Sequence, residues 1–146
     1  MDFFTALNVS SSGLTAQRIR MNVISANLTN ADTTRTPEGG PYRRKDVIFN
    51  AHRVDSPFQN ILESQIEGKV YQVNVEGIYT DNSPFRRKYD PGHPDADKSG
   101  YVALPNITVI SEMINLLSAT RSYEANVTVI SATKNMALKA LDIGGA

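Results

Sequence analysis

Oxygen-bearing side chains that could bind a metal ion cluster in the segment Asp95-Ala-Asp97-Lys-Ser99-Gly100. A calcium loop of the EF-hand type places oxygen ligands at positions 1, 3 and 5 and glycine at position 6, which this segment matches. Position 12 should be a bidentate glutamate, but here it is Asn106, and the proline-rich run before Asp95 cannot form the entering helix. We therefore expect no metal site, and interpret the segment as a turn whose Asp and Ser side chains bind nearby backbone groups.

Two basic triplets, Arg43-Arg44-Lys45 and Arg86-Arg87-Lys88, stand beside aromatic residues and could contact a nucleic acid. The region from 35 to 105 carries ten basic and ten acidic residues, and the whole chain has a net charge of zero. A continuous basic surface is not favoured by this balance. We expect a mixed-charge surface or salt bridges between subunits, and no nucleic-acid partner.

Groups that could perform catalysis do not form a recognisable pattern. His52 and His93 stand far apart and match no ligand or triad spacing. The sequence contains no glycine-rich phosphate loop, nucleophile elbow or dinucleotide fingerprint, and it has no cysteine. We expect neither enzymatic activity nor a cofactor.

Charge is unevenly distributed along the 146 residues. Residues 1–34 contain four charged side chains and residues 106–146 contain six, whereas the middle contains the other twenty. No apolar stretch is long enough to cross a bilayer, so we expect no direct membrane span. The N-terminus lacks the features of a secretory leader, and any export is expected to proceed without a cleaved signal peptide.

Both weakly charged ends have the apolar periodicity of long amphipathic helices. A repeat held at alternating spacings of three and four residues favours a helix that packs along another helix. The residues that we expect to pack in this way, within the chain or between subunits, are Phe3, Leu7, Leu14, Met21, Ile24, Leu28, Val109, Met113, Leu116, Tyr123, Val127, Ile130, Ala137 and Leu141. Because the insert is too short to cover both helices, assembly is favoured over a monomeric helix pair.

The middle of the chain has a different sequence pattern, in which short apolar runs are separated by turn residues. Tyr42–Asn50, Gly68–Tyr79 and Tyr101–Leu104 are expected strands, residues 55–64 are ambiguous, and Ser83–Lys98 is dense in turn formers. The predicted fold class is α+β, with the long N- and C-terminal helices packed as an antiparallel, coiled-coil-like pair around a small β-rich insert. The predicted parts are residues 1–34, 35–105 and 106–146.

Ser25–Thr34, at the end of the first predicted helix, resembles the Asn-rich segment shared by the flagellar rod and hook axial proteins. Thr29-Asn30-Ala31-Asp32 departs slightly from the usual form of that segment. Arg35–Lys45, Tyr89–Asn106 and Glu112–Asn126 are similar to the proximal-rod C subunits in particular. The residues that carry this resemblance are Asn27, Asn30, Pro37, Gly39, Gly40, Tyr42, Tyr89, Asp90, Pro91, Gly92, His93, Pro94, Asp95, Gly100, Tyr101, Pro105 and Asn106.

The resemblance implies a structural subunit of the bacterial flagellar proximal rod, which assembles helically into a drive shaft that transmits torque and encloses the export channel. It implies terminal helices that form an inner tube and an insert that lies outside it. The implied partners are further copies of the chain, other proximal and distal rod proteins, the MS ring with its adaptor protein, and the flagellar type III export apparatus. The implied location is the basal body, where the rod crosses the periplasm.

Two other functions remain open on the sequence alone. One is a coiled-coil adaptor or scaffold outside the flagellum, which would share the apolar stripes but has no reason to carry the Tyr89–Asn106 segment. The other is a calcium-dependent module. We further hypothesise that the free monomer has frayed termini, which fold when the subunit is incorporated.

Overall fold

The computed structural model describes residues 3–53 and 70–144. Two long helices flank four strands in the order α1 (Phe3–Thr29), β1 (Lys45–Arg53), β2 (Tyr71–Thr80), β3 (Arg86–Tyr89), β4 (Tyr101–Leu104) and α2 (Val109–Gly144). This order confirms the α+β class. Segment 55–64 and the first two residues of the expected strand Gly68–Tyr79 lie outside the described residues.

The strands form two separate two-stranded sheets, β1 with β2 and β3 with β4. In the second sheet the strands are antiparallel, and Arg86 pairs with Leu104 and Tyr89 with Tyr101. Ser83–Lys98 is dense in turn formers, and no strand is expected there from the sequence, but β3 lies within this segment. All four residues of β3 are exposed, so the sequence has no alternation of apolar residues that would predict this strand. The strand forms because its backbone pairs with β4.

The chain divides into two compact units. The central unit contains residues 19–48 and 77–120, and the terminal unit contains the described residues 3–18, 49–53, 70–76 and 121–144. Within the described chain, every buried apolar side chain except Ala16 belongs to the central unit. These core residues are Val23, Ile24, Ala31, Val47, Val102, Ile107 and Ala119.

The two helices pair in opposite directions within each unit. In the central unit, the Thr120 hydroxyl lies 3.6 Å from Met21 Sδ, and Asn27 binds Glu112. In the terminal unit, a Cβ added to Gly13 would lie 3.1 Å from Asn126 Nδ2. Residues later in α1 thus meet residues earlier in α2, which confirms the antiparallel helix pair.

Local chemistry explains where the helices begin and end. At the start of α2 the Glu112 amide donates to the Thr108 carbonyl, and the Glu112 carboxylate is favoured there by the helix dipole. At the end of α1, both the amide and the side chain of Asn30 donate to the Ala26 carbonyl, one of the last four carbonyl groups of the helix. Pro37 follows in the turn and cannot continue the helix.

Candidate assembly site

A buried polar cluster joins the end of α1, the start of β1 and the start of α2 within the central unit. Asn27 is fully buried, and its amide group uses all of its hydrogen-bonding capacity. The Nδ2 atom donates to the Lys45 carbonyl at 2.8 Å and to Glu112 Oε2 at 3.0 Å, while Oδ1 accepts from the Lys45 amide at 3.0 Å and from the Tyr42 hydroxyl at 3.2 Å. Because only an amide offers two donors beside two acceptors, asparagine is specified at this position.

Arg44 extends this cluster with an ion pair. Its Nε donates to Glu112 Oε1 at 2.8 Å and its Nη1 to Asp46 Oδ2 at 2.9 Å. The Glu112 side chain is 2% exposed and the Arg44 side chain 19%. A buried pair of this kind is strongly destabilised when one partner is removed, because the other charge then remains in a poorly solvated site.

Asn106 connects the segment before α2 to Arg44 through a hydrogen bond. Its Oδ1 accepts from the Arg44 amide at 2.9 Å, and its Nδ2 donates to the Asp81 carbonyl at 3.3 Å. The Asp81 amide in turn donates to the Arg44 carbonyl at 2.8 Å. The polar cluster, defined as Asn27, Tyr42, Arg44, Asn106 and Glu112, therefore connects segments that are far apart in sequence.

Burial and neighbouring charges shift the pKa values of Arg44 and Tyr42. Partial burial lowers the pKa of Arg44, but the hydrogen bonds to Glu112 and Asp46 outweigh this effect and raise the pKa above its usual value. Burial, and then the negative charge of Glu112, raise the pKa of Tyr42 above 10.0. Arg44 therefore stays charged and Tyr42 stays a hydrogen-bond donor at any physiological pH.

The packing face of α2 within the chain differs from the predicted stripe at every second position. Leu116, Tyr123, Ile130 and Ala137 are partly buried, as is expected of packing residues. The positions between them are taken by Glu112, Ala119, Asn126 and Thr133. Glu112 and Asn126 each stand one residue before a predicted packing residue, Met113 or Val127, and Ala119 and Thr133 each stand one residue before a polar interruption of the predicted stripe. Small and hydrogen-bonding side chains fill these positions because α1 and α2 approach closely, as the contact of Gly13 with Asn126 shows.

The other predicted residues of α2 are exposed in the single chain. The exposed fractions are 40% for Val109, 58% for Met113, 41% for Val127 and 71% for Leu141. In α1, Ile24 is buried, and Phe3, Leu7, Leu14, Met21 and Leu28 are partly buried. The participation of all these residues in contacts between subunits stays a prediction.

Residues of the sequence motif divide between the polar cluster and two turns. Asn27, Tyr42 and Asn106 meet in the cluster, and Pro105 is buried beside it. Asn30 closes α1, and the Thr33 hydroxyl donates to its side chain. Pro37, Gly39 and Gly40 lie in an exposed turn in which both glycines have positive φ angles.

The segment Tyr89–Tyr101 is a closed turn. The rings of Tyr89 and Tyr101 lie edge to face, 5.2 Å apart, and the Asp90 amide donates to the Gly100 carbonyl. Asp97 Oδ1 accepts from the amides of Ser99 and Tyr101 at 2.8 and 2.9 Å, as the turn interpretation of this segment predicts.

The rest of this segment is held by short hydrogen bonds. His93 Nδ1 accepts from the Asp95 amide, and Asp95 Oδ2 accepts from the Thr34 hydroxyl at 2.7 Å. Pro91 lies near Gly100, whereas Gly92 and Pro94 are exposed. Among residues 3–53 and 70–144, no group of three or more His, Cys, Asp or Glu side chains could hold a metal ion.

Sequence reasoning missed the two charged members of the polar cluster. Arg44 was assigned to a surface triplet, and Glu112 was noticed only as part of a similar segment. A usable signal was present, since Glu112 is an acid at a helix-packing position, three and four residues before Asn115 and Leu116, in a helix whose polar residues are mostly neutral. An ionised residue on a packing face requires a buried partner.

A second apolar face of α2 is exposed in the central unit. Ile110, Met113, Ile114 and Leu117 recur at spacings of three and four residues, and they are 70%, 58%, 62% and 55% exposed. By helical geometry this outer face, defined by these four residues, lies opposite the face that carries Glu112, Leu116 and Ala119. No helix among the described residues is both long and apolar enough to span a membrane.

The chain is similar to known flagellar proteins at both ends. The family model described as Flagella basal body rod protein matches residues 7–35, and the model described as Flagellar basal body rod FlgEFG protein C-terminal matches residues 98–143. A protein named flagellar basal-body rod protein FlgC from Bacillus subtilis is 50% identical over 151 residues, with 99% of each chain covered. Proteins of the same name from Borreliella burgdorferi and Escherichia coli O6:H1 are 48% and 40% identical, with 98% and 99% of each chain covered.

Proposed function

The chain belongs to the flagellar basal-body rod protein FlgC family, and on this premise we propose that it assembles helically into the proximal rod as a segment of the drive shaft. The family consists of structural proteins rather than enzymes, and membership implies a place in the basal body and assembly with other rod proteins. It does not favour the coiled-coil adaptor outside the flagellum.

The proposal has further parts. Residues 1–34 and 106–146 form the inner tube around the export channel, and residues 35–105 form the outer part. The rod crosses the periplasm and transmits torque. Copies of the chain contact one another, the distal rod proteins, and the MS ring with its adaptor, and each copy arrives through the type III export apparatus without a cleaved leader.

The outer face of α2 is the observation that best supports assembly. Four large apolar side chains stand on one side of a helix, each more than half exposed in the single chain. A contiguous apolar patch of this kind marks a contact surface, and its spacing fits a second helix. Covering each side chain contributes roughly 1.5–3 kcal/mol before the losses of motional freedom are subtracted.

The experiment compares two adjacent positions of α2. Leu117→Asp changes an exposed residue of the outer face, and we expect a folded chain that no longer enters the rod. Leu116→Asp changes a partly buried residue on the opposite face of α2, which packs within the chain, and we expect loss of both folding and incorporation. Folding is measured by circular dichroism of the purified chain, and incorporation by its amount in isolated basal bodies and by swimming of a strain that lacks the native subunit.

Ser111→Asp is the matched control, because Ser111 is exposed on α2 but lies outside the outer face. The Ser111→Asp variant introduces the same charge less than two helical turns from Leu117, and it should support normal swimming. Normal incorporation of Leu117→Asp would contradict the proposed role of the outer face. Accumulation of the variant inside the cell would instead indicate an export defect, which a secretion assay separates from assembly.

A further inference from the structure

A groove with a volume of about 820 Å³ lies in the central unit beside the turn that follows α1. Its lining contains three basic residues, Arg35, Arg43 and Lys45, and one acidic residue, Glu38. Three cations and one carboxylate leave a net charge of +2 on the walls, although the whole chain is neutral. The charge of this groove, defined by these four side chains, is thus a local feature that the overall composition does not indicate.

Among the described residues, no ion pair includes Arg35, Arg43 or Lys45. The Asp81 carboxylate interacts with the charge of Arg43 but forms no ion pair with it. The Arg43 guanidinium stacks on Phe85, with Cζ 4.2 Å from the ring centroid. Its Nη1 atom is shielded from solvent, and no acceptor in the described part of the chain binds it. The Arg43 guanidinium is therefore partly desolvated and incompletely hydrogen-bonded, and it also lines the groove, so an anion in the groove would be favoured by its charge.

The walls of the groove are ordered by the chain itself. The Thr36 amide donates to the Gly40 carbonyl at 2.9 Å, and the Gly39 amide donates to the Thr36 carbonyl at 3.0 Å. Gly39 and Gly40 have φ angles of 91° and 76°, and a Cβ on either would meet no atom within 4 Å. The turn is therefore set in advance and open on this side, which lowers the entropic cost of binding.

The second basic triplet behaves differently. Arg86 Nη1 donates to the Ile107 carbonyl at 2.7 Å, and Lys88 Nζ lies 3.6 Å from Asp90 Oδ2. Two of its three side chains thus have partners within the chain, and none of the three lines the groove. The groove therefore lacks the long basic surface that a phosphate backbone requires. The groove thus fits a short anionic segment better than a nucleic acid.

We propose that the groove binds an extended acidic segment of a neighbouring protein subunit through several carboxylates. The planar guanidinium of Arg43 matches the geometry of a carboxylate, and Arg35 and Lys45 supply further charge along the walls. The assignment of the partner to a rod subunit rests on the proposed function, whereas the affinity for an acidic peptide does not. The two can therefore fail separately.

The test is a titration of the full-length, ¹⁵N-labelled chain with the peptide acetyl-Gly-Glu-Glu-Glu-Glu-Gly-amide, followed by NMR. We expect shifts of the Gly39 and Gly40 amides and of Arg43 Nε, which weaken as salt is added. The same peptide with Gln in place of Glu should leave these signals unchanged. Arg43→Gln and Arg35→Gln should each weaken binding about tenfold. Arg35→Gln lies in the exposed turn and tests the charge without disturbing the stack on Phe85.

Arg87→Gln is the matched control, since Arg87 is exposed in β3 and does not line the groove. It should bind the Glu peptide with unchanged affinity. The proposal is overturned if the signals do not move at about 5 mM peptide, which corresponds to negligible affinity. It is also overturned if inorganic phosphate or a hexathymidylate binds the same residues as tightly as the peptide, because the groove would then be a phosphate site. Neither result would bear on the outer face of α2.

Discussion

The central and terminal units contain parts of the same two helices but stabilise them differently. In the central unit, the helices share a buried apolar core and a polar cluster in which Asn27 satisfies four hydrogen bonds. In the described terminal unit, Ala16, Ser10 and Thr133 are the buried side chains, while Met136, Leu141 and Ile143 are 64%, 71% and 79% exposed. The comparison indicates that the central unit has its own core, and we expect the described helix ends of the terminal unit to depend more on contacts with other subunits.

Removal of Glu112 should have the largest effect on stability. Glu112→Ala leaves Arg44 without its buried partner and Asn27 without an acceptor, and we expect a loss of about 3–5 kcal/mol in the free energy of unfolding. Urea unfolding followed by circular dichroism measures the loss. Since small domains are stable by only about 5–15 kcal/mol, much of the central unit should unfold under mild conditions.

Glu124→Ala is the control for this prediction, because Glu124 is an exposed acidic residue of the same helix. It should change stability by less than about 0.5 kcal/mol. Similar losses for both variants would mean that the polar cluster does not distinguish the central unit, and the comparison would then rest on the apolar core alone.

The sequence predicted the order of the elements better than the details of their contacts. Apolar periodicity revealed both helices and the strands that became β1, β2 and β4, since each has a side that must leave water. It could not reveal β3, whose sequence Arg86-Arg87-Lys88-Tyr89 has no buried side. That strand depends on backbone hydrogen bonds to a distant partner, and these leave no side-chain pattern.

The polar cluster was only partly predictable for a related reason. Asn27, Tyr42 and Asn106 were found through resemblance, whereas the need for an amide at Asn27 follows from four hydrogen bonds to three residues in two distant segments. At every second position of the predicted α2 stripe, the packing residue is displaced by one in the structure, and the cause is again a contact between distant segments. Hydrophobicity favours Met113 and Val127 as packing residues, but the close approach of α1 selects Ala119 and Asn126 instead.

Replacement of Gly100 or Gly39 by alanine should show how tightly the turn between β3 and β4 is packed in the central unit. Gly100 has a φ angle of 79°, and an added Cβ would lie 2.9 Å from Tyr89 Cε2 and 3.3 Å from Pro91 Cβ. Gly39 has a similar φ angle of 91° but free space around it. Both variants incur the left-handed backbone strain of about 1–2 kcal/mol, and Gly100→Ala should lose a further 1–2 kcal/mol, approximately, by displacing the Tyr89 ring.

Thermal or urea unfolding of the two variants isolates this packing contribution, because the backbone strain is common to both. Near-ultraviolet circular dichroism should also change in Gly100→Ala alone, since the Tyr89 and Tyr101 rings lie edge to face. Equal stability losses would show that the β3–β4 turn tolerates the added methyl group and is less tightly specified than the contacts indicate.

Amide hydrogen exchange of the free chain tests the comparison directly. We expect amides of residues 19–29 and 112–120 to exchange at least about tenfold more slowly than those of residues 4–14 and 130–143, a difference of roughly 1.4 kcal/mol or more in opening free energy. The reason is the concentration of buried side chains in the central unit. Uniform, strong protection along both helices would contradict it, and would also contradict the hypothesis of termini that fold on incorporation.

Acid should reduce stability by the smallest amount, through carboxylates at the surface of the central unit. The backbone hydrogen bond from Tyr101 lowers the pKa of Asp97, and the hydrogen bond from the Ser83 hydroxyl lowers the pKa of Asp81. A carboxyl group whose pKa is lower in the folded chain stabilises the fold at pH values above its unfolded pKa of about 3.9. That contribution disappears as the pH falls through the lower, folded value.

The urea midpoint should therefore decrease as the pH is lowered from about 5 to about 2.5, and Asp97→Asn should flatten part of this slope. Asparagine keeps an oxygen that can accept from the Ser99 and Tyr101 amides, so the turn should persist at neutral pH. Lys98→Gln, at the exposed neighbouring position, should preserve the slope because it leaves every carboxyl group of the chain in place. An unchanged slope in Asp97→Asn would show that protonation of Asp97 is not linked to folding of the central unit.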